Sequence, residues 1–311
     1  MSILICGSIA YDTIMVFHDR FKNHIMPEQI HILNVSFLVP DMRRDFGGCA
    51  GNIAYSLKLL GNDPIIMATV GDDSSPYRSR LESLNIAHTH IKSVADTYTA
   101  QAFITTDLDD NQITAFHPGA MNYSHLNHVS ATESIRLGIV APDGRDGMLQ
   151  HAAQFAEANI PFIFDPGQGL PMFNGEELMA FVDMADYVTL NDYEAQMLQE
   201  RTGEKIDQLA KLAKAIVVTQ GSRGSTIYTN GKPIEIPCVK SESIIDPTGC
   251  GDAYRSGLLH GIARGLDWQT TGQLAAVMGA IKIAHRGGQN HKFDLTEIEV
   301  RYREFFGSNP W

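Results

Sequence analysis

The stretch Ile245–Gly261, IDPTGCGDAYRSGLLHG, decides how this chain folds. Asp246-Pro247-Thr248-Gly249-Cys250-Gly251 is a turn-forming run. From Asp252 a helical pattern takes over, with Leu258, Ile262 and the small residues Gly257, Gly261 and Gly265 recurring along it. A loop therefore feeds a helix N-terminus. Glycines there let backbone N–H groups turn outward, and with the positive end of the helix dipole they form a site for a phosphate-like anion. A carboxylate at Asp252 would repel that anion. Asp252 either caps the helix or takes the proton of a neutral hydroxyl beside the anion, and both readings stand on these residues alone.

Composition bounds the surroundings of that site. The chain has 311 residues, 44% hydrophobic and 19% charged, which is ordinary for a globular protein with a sizeable core of one large α/β unit plus an appendage, or of two domains. A formal net charge of -12 argues against a nucleic-acid or anionic-membrane surface, so any phosphate site must be local. The N-terminus begins directly with a strand pattern, and neither a signal peptide nor a membrane span is evident. Cys6, Cys49, Cys238 and Cys250 form no Cys-x-x-Cys pair, which points to reduced thiols in a cytoplasm and to no zinc site.

Outward from the central stretch, short apolar runs alternate with helical patterns. Strands are expected over residues 3–9, 65–70, 137–141, 162–164, 187–190 and 215–219. Helices are expected over 76–84, 148–158, 176–184, 194–200 and 206–212, with a final helix over 274–285. This rhythm predicts a mostly parallel sheet covered on both faces, a three-layer α/β/α domain. Residues 13–45, with the β-prone segment Ile30–Val39, break it. So does the hairpin signal of 100–106 and 112–116 around Asp109-Asp110-Asn111. Another hairpin is expected around Asn230-Gly231.

Asp-Pro-Thr-Gly-Cys-Gly-Asp followed by an aromatic and a Gly-rich helix resembles the C-terminal signature of the ribokinase (PfkB) family of carbohydrate and nucleoside kinases. The resemblance implies that Asp252 is the base that deprotonates the acceptor hydroxyl, with Gly249, Cys250 and Gly251 as the anion hole. Phe46-Gly47-Gly48-Cys49-Ala50-Gly51-Asn52 resembles the N-terminal signature, which implies a sugar site of Gly47, Gly48 and Asn52. Asp12 is a turn cap on its own reading; by the resemblance it holds vicinal sugar hydroxyls, a task suited to a carboxylate that accepts two hydrogen bonds. The family also implies a small β-sheet lid, here 13–45 and 96–120, over a large domain of 1–12, 46–95 and 121–311.

Asn191-Asp192-Tyr193-Glu194 reads as a helix capping box, and by resemblance as the Asn-x-x-Glu that orders magnesium through water. Thr219-Gln220-Gly221-Ser222-Arg223-Gly224 resembles the ATP-phosphate loop, through Thr219, Gly221 and Gly224. Gln289 and Asn290 are implied nucleotide-site residues. Carbonyls near them and around Asp246 are implied to house a monovalent cation such as potassium. The chain has no Gly-x-x-x-x-Gly-Lys-Ser/Thr, and Gly249-x-Gly251 lacks the third glycine of a dinucleotide fingerprint, so P-loop and dehydrogenase chemistries are disfavoured. Asp45-Phe46-Gly47 spells a protein-kinase motif by chance, without its companions. Ser75-Pro76-Tyr77 departs from the glycine that many members carry there, so the resemblance leaves the local loop shape open.

In the lid, Gln101 and Phe103 share a strand face and Phe116 precedes His117-Pro118-Gly119. These aromatics are either buried lid hydrophobes or a slot in which a purine stacks. Gln168, in the Asp165-Pro166-Gly167-Gln168 turn, adds an amide near the base. The whole resembles the nucleoside-kinase branch of the family. It implies ATP- and Mg2+-dependent phosphorylation of a nucleoside 5′-hydroxyl, adenosine foremost; separately, unpaired edges of the lid strands are able to pair between subunits as a homodimer. The alternatives are a sugar kinase of ribokinase or fructokinase type and a catalytically idle nucleoside-binding protein.

Overall fold

A computed structural model describes residues 2–25, 34–109, 111–132, 134–229 and 232–311. The expected turns at Asp110 and at Asn230-Gly231, and part of the β-prone 30–39 segment, lie outside the described residues. The chain starts with β1 (Ser2–Cys6), β2 (Ala10–Val16), β3 (Asp41–Gly47) and α1 (Cys49–Leu59). It continues through β4 (Asp63–Val70), α2 (Ser75–Ser83), β5 (Ala87–Ser93), β6 (Ala100–Thr106) and β7 (Gln112–His117). Next come β8 (Leu137–Val140), α3 (Arg145–Glu157), β9 (Phe162–Phe164), α4 (Gly175–Met184), β10 (Tyr187–Asn191), α5 (Asp192–Thr202) and α6 (Ile206–Leu209). The last elements are β11 (Ala215–Thr219), β12 (Ser225–Thr229), β13 (Lys232–Ile236), α7 (Cys250–Arg264), α8 (Trp268–Ile283) and α9 (Leu295–Phe306).

Two sheets result. The larger runs β13-β12-β11-β10-β9-β8-β1-β4-β5, parallel from β11 to β5 with an antiparallel hairpin at one edge. Its faces are sorted by strand alternation. Ile3 and Ile5 of β1 pack into a core with Ile53 and Leu57 of α1, Leu81 of α2 and Leu258 of α7. Leu4 and Cys6 pack on the other side with Met148 and Phe155 of α3, Phe181 of α4 and Leu198 of α5. Helices on both faces give the three-layer architecture expected. A smaller four-stranded sheet, β3-β2-β6-β7, stands apart from it.

Several boundaries differ from expectation. The first strand ends at Cys6 instead of Ile9, because Ser8 leaves the sheet: its N–H donates to Pro142 O and its carbonyl accepts from Ala50 N–H, both at 3.0 Å. The small sheet accordingly begins at Ala10, so Asp12 lies on its second-position strand β2 and not on a loop of the large domain. Residues 34–40 carry no regular structure, and β3 starts at Asp41. The expected last helix starts earlier, at Trp268, and is followed by α9, which Asp294 caps by accepting from Glu297 N–H. Strand β5 and helix α9 had no sequence counterpart.

The functional consequence is a common edge. The parallel strands β1, β8, β9, β10 and β11 end at Cys6, Val140, Phe164, Asn191 and Thr219, and the turns after them open on one side of the sheet. Helix α7 packs extensively on α8 and α1, which brings the Gly249–Asp252 turn to that edge.

Candidate active site

Gly249 sits at the N-cap of α7 with φ 76°, in the left-handed region, as the turn demands. A Cβ there would lie 3.0 Å from the Gly288 Cα. Cys250 N–H donates inward to Pro247 O at 3.1 Å and Ala253 N–H to Gly249 O at 2.9 Å. Between them, the amides of Gly251 and Asp252 take no backbone acceptor among the described residues. With Gly249 N–H, which likewise takes no backbone acceptor, these are the open donors of the turn; of the expected Gly249–Gly251 set, only Cys250 N–H is turned to its own loop.

Asp252 is half-buried. Its carboxylate accepts a hydrogen bond from Asn52 Nδ2 at 2.8 Å. Burial pushes its pKa up to about 6; the Asn52 bond and the Arg255 charge pull against this, and Asp165 adds to it. The hydrogen bond given to its side chain among the described residues comes from outside its own helix. Its partner is on α1, which is what a base presented to a ligand requires and a simple cap does not.

A network of side-chain hydrogen bonds is built around Asn52. Gln289 Nε2 donates to Asn52 Oδ1 at 3.2 Å and to Tyr77 Oη at 2.7 Å, and Tyr77 O–H donates to Gly47 O at 2.7 Å. Gln289, expected at the nucleotide, is buried, with its amide donating to Asn52 and Tyr77. Tyr77, which comes from the departing Ser75-Pro76-Tyr77 segment at the start of α2, was not anticipated at all. Gly48, with φ 84°, leaves no room for a Cβ, which would fall 2.5 Å from Ser8 O. A Cβ on Gly47 would meet the Asp12 carboxylate at 2.3 Å, so Gly47 lets that carboxylate lie against the backbone. Burial, together with the charges of Asp45, Asp252 and Asp246, raises the Asp12 pKa to about 6.

The small sheet sorts its own residues by register. Asp45, Asp12, Ala102 and Phe116 stand opposite one another across the four strands. That row is flanked on one side by Phe46, Tyr11, Gln101 and His117 and on the other by Arg44, Thr13, Phe103 and Ala115. Adjacent rows face opposite sides. Phe116 therefore shares the Asp12 face, whereas Gln101 and Phe103 point away from it, and Gln101 Nε2 donates to Asp73 Oδ2 at 3.2 Å. The expected aromatic sandwich of Phe103 and Phe116 does not form.

Asn191 and Thr219, expected at the nucleotide, end adjacent strands in register. Asn191 and Glu194 close a capping box: Glu194 N–H donates to Asn191 Oδ1 at 2.8 Å, Asn191 N–H to Glu194 Oε2 at 2.8 Å, and Asn191 Nδ2 to Glu194 Oε1 at 2.8 Å. Thr219 O–H donates to Leu190 O at 3.3 Å. Gly221 and Gly224 have φ 58° and 90°, and Gly221 faces open space. Asn290 is exposed, with its amide on Arg286 O at 2.9 Å. Gln168 is exposed on the 3-10 turn Gly167–Met172.

Arg255, one turn into α7, carries no motif in the sequence, yet it links α7 to the ends of β9 and β10. Its Nε and Nη2 reach Asp165 Oδ2 and Oδ1 at 2.8 and 2.9 Å, Nη2 stands 4.0 Å from Glu194 Oε2, and Nη1 donates to Gly251 O at 3.4 Å. It fixes the turn that carries the open amides. Lys282, on α8, is fully buried and donates to Asp246 O and His285 O, both at 2.9 Å. Burial pushes the Asp246 carboxyl up, but N–H groups of Gly287 and Thr248 outweigh this and hold it below the usual carboxylate range.

The model of the pfkB family of carbohydrate kinases matches residues 9–294. The chain belongs to that family. A nucleoside kinase of Methanocaldococcus jannaschii is 34% identical over 262 residues, 83% of this chain and 85% of the relative. The solved structure of a Burkholderia thailandensis nucleoside kinase in complex with inosine is 52% identical, covers 99% of both chains and superposes with a TM-score of 0.91. The same relative in complex with ADP-inosine is 53% identical, with a TM-score of 0.88, covering 99% of this chain and 97% of that one. As a pfkB kinase the chain is a phosphotransferase with an alcohol acceptor. No described helix is long and apolar enough to cross a membrane.

Proposed function

We propose that this pfkB kinase transfers the γ-phosphoryl group of ATP to the 5′-hydroxyl of a purine nucleoside, inosine and adenosine alike. The observation that carries the reading is the Asn52–Asp252 hydrogen bond of 2.8 Å beside the open amides of Gly251 and Asp252. Asp252 takes the hydroxyl proton as the new O–P bond forms; the bond to the β-phosphate oxygen breaks and ADP leaves. A placed base contributes about 10² to 10⁴ in rate, and each well-aimed amide roughly 3 to 4 kcal/mol. Asp12 and Asn52 hold ribose hydroxyls, and Phe116, on the Asp12 face, covers the base. The inosine bound by the 52%-identical relative supports a nucleoside over a free sugar.

Thr219, Gly221 and Gly224 line the ATP phosphates in this reading. Magnesium neutralises phosphate charge when bound with ATP. Both Glu194 carboxylate oxygens already accept bonds from Asn191, and no group of three or more metal-ligating residues occurs among the described residues. Asn191 and Glu194 therefore fit a contact through water and not direct coordination. The exposed strand β7 is an edge of the small sheet, on which a dimer would pair; sedimentation reads that directly.

The test is kcat/KM for adenosine, inosine, guanosine, cytidine, ribose and fructose, followed by ADP release with Mg·ATP. Purine nucleosides should exceed the free sugars by at least about 100-fold. A preference for ribose or fructose would replace this reading with a sugar kinase, and no ADP from any acceptor would leave a binding protein.

A further inference from the structure

A lysine with no solvent exposure is rare, because its ammonium must be paid for by partners. Lys282 has two, and both are main-chain carbonyls: Asp246 O, from the loop ahead of the anion-binding turn, and His285 O, from the chain just past α8. The same loop is also tied to that end of α8 by Ile245 N–H and Asp246 N–H, which donate to Ile283 O at 2.9 and 3.1 Å. The lysine stem runs directly under the turn: a Cβ on Gly249 would stand 3.6 Å from Lys282 Cε. One positive charge is thus fixed at the negative end of the α8 dipole and behind the open amides.

The family resemblance implies a monovalent cation held by carbonyls around Asp246. Such an ion does not fit here. The Asp246 and His285 carbonyls are engaged at 2.9 Å by an ammonium that already carries the charge, and a second cation beside it would be repelled.

We propose that Lys282 is the built-in cation of the phosphoryl site, fixing the Asp246–Gly249 loop and adding positive potential behind the anion-binding turn, so that the enzyme needs no potassium. Burial draws the ammonium pKa down, while Cys250, Asp246 and Asp252 oppose that. Lys282 is a positioning residue: it acts on phosphoryl transfer through the turn, and on neither the nucleoside nor Asp252 directly. The inference rests on the Gly251–Asp252 amides being the phosphoryl site.

The experiment compares the unaltered enzyme and Lys282→Ala in chloride salts of potassium, sodium, ammonium, methylammonium and tetramethylammonium at equal ionic strength. The unaltered enzyme should keep its kcat within about twofold and its Tm unchanged across all five, since its cation is covalently attached. Lys282→Ala should lose about 10- to 100-fold in kcat with little change in nucleoside KM. It should regain part of that kcat, and gain Tm, in ammonium, methylammonium or potassium. Potassium activation of the unaltered enzyme by more than about fivefold would overturn the proposal, and this arm decides even if the variant does not fold. A folded Lys282→Ala with parental kcat would overturn it too, as would a loss that no small cation reverses. Full activity of Asp252→Asn would instead refute the phosphoryl-site reading, leaving the ion panel as measured.

Discussion

Asn52 Nδ2 and Asp252 Oδ2 lie 2.8 Å apart across 200 residues of sequence, and this bond joins the first turn of α1 to the first turn of α7. It orients the carboxylate and favours its ionised form, and it ties the first turns of α1 and α7 into one frame.

The pH profile should follow Asp252. Burial places its folded-state pKa at about 6, and a base must be ionised, so kcat/KM should fall as pH drops through about 6. Asn52→Leu removes a bond that lowers this pKa, so the acid limb should move to higher pH while the rate at the plateau drops. An acid limb at the same pH in both proteins contradicts the assignment.

The same shift carries a stability cost. The ordinary value is 3.8 and the folded value about 6, so the stability Asp252 contributes is full below pH 3.8 and is lost as pH rises through about 6. Asp252→Asn should therefore raise Tm at pH 8 relative to the parent and lose that advantage near pH 4, as measured by thermal unfolding at both pH values.

Arg255 is buried with Asp165 in a two-pronged ion pair. Arg255→Ala leaves the Asp165 carboxylate buried without its partner and should cost about 3 to 5 kcal/mol in denaturant unfolding. Arg255→Lys keeps the charge but not the fork and should fall between, with a loss in kcat through the Gly251 carbonyl contact. Parental stability of Arg255→Ala would mean that Asp165 finds another partner.

Lid register separates two phenylalanines that sequence groups together. Phe116→Ala should raise the nucleoside KM about tenfold or more, in line with a lost aromatic contact, while Phe103→Ala on the opposite face should leave it nearly unchanged. Steady-state kinetics with inosine checks both, and equal effects would contradict the assignment of faces.

Local motifs were legible because the chain itself writes them. The glycines at 47, 48, 249 and 251 and the acids at 252 and 194 sit in short segments whose turn chemistry fixes their neighbours. The βα alternation gave the large sheet for the same reason. Tyr77, Arg255, Lys282 and the place of Gln289 were not legible. Each has a partner 30 to 237 residues away, and a Lys or Arg within a helix pattern reads as a solvated residue until its packing is known. The faces of Phe103 and Phe116 depend on a register set by pairing between distant strands. Helix α9 was passed over because its apolar positions, Leu295, Ile298, Tyr302 and Phe306, are interleaved with charge, and its cap at Asp294 follows directly on a loop.

The central claim is that Asp252 removes the acceptor proton. The measurement that tests it most directly is kcat of Asp252→Asn at pH 8 with saturating Mg·ATP and inosine. The account predicts a loss of about 10² to 10⁴ with the fold intact. Turnover at the parental rate would contradict it.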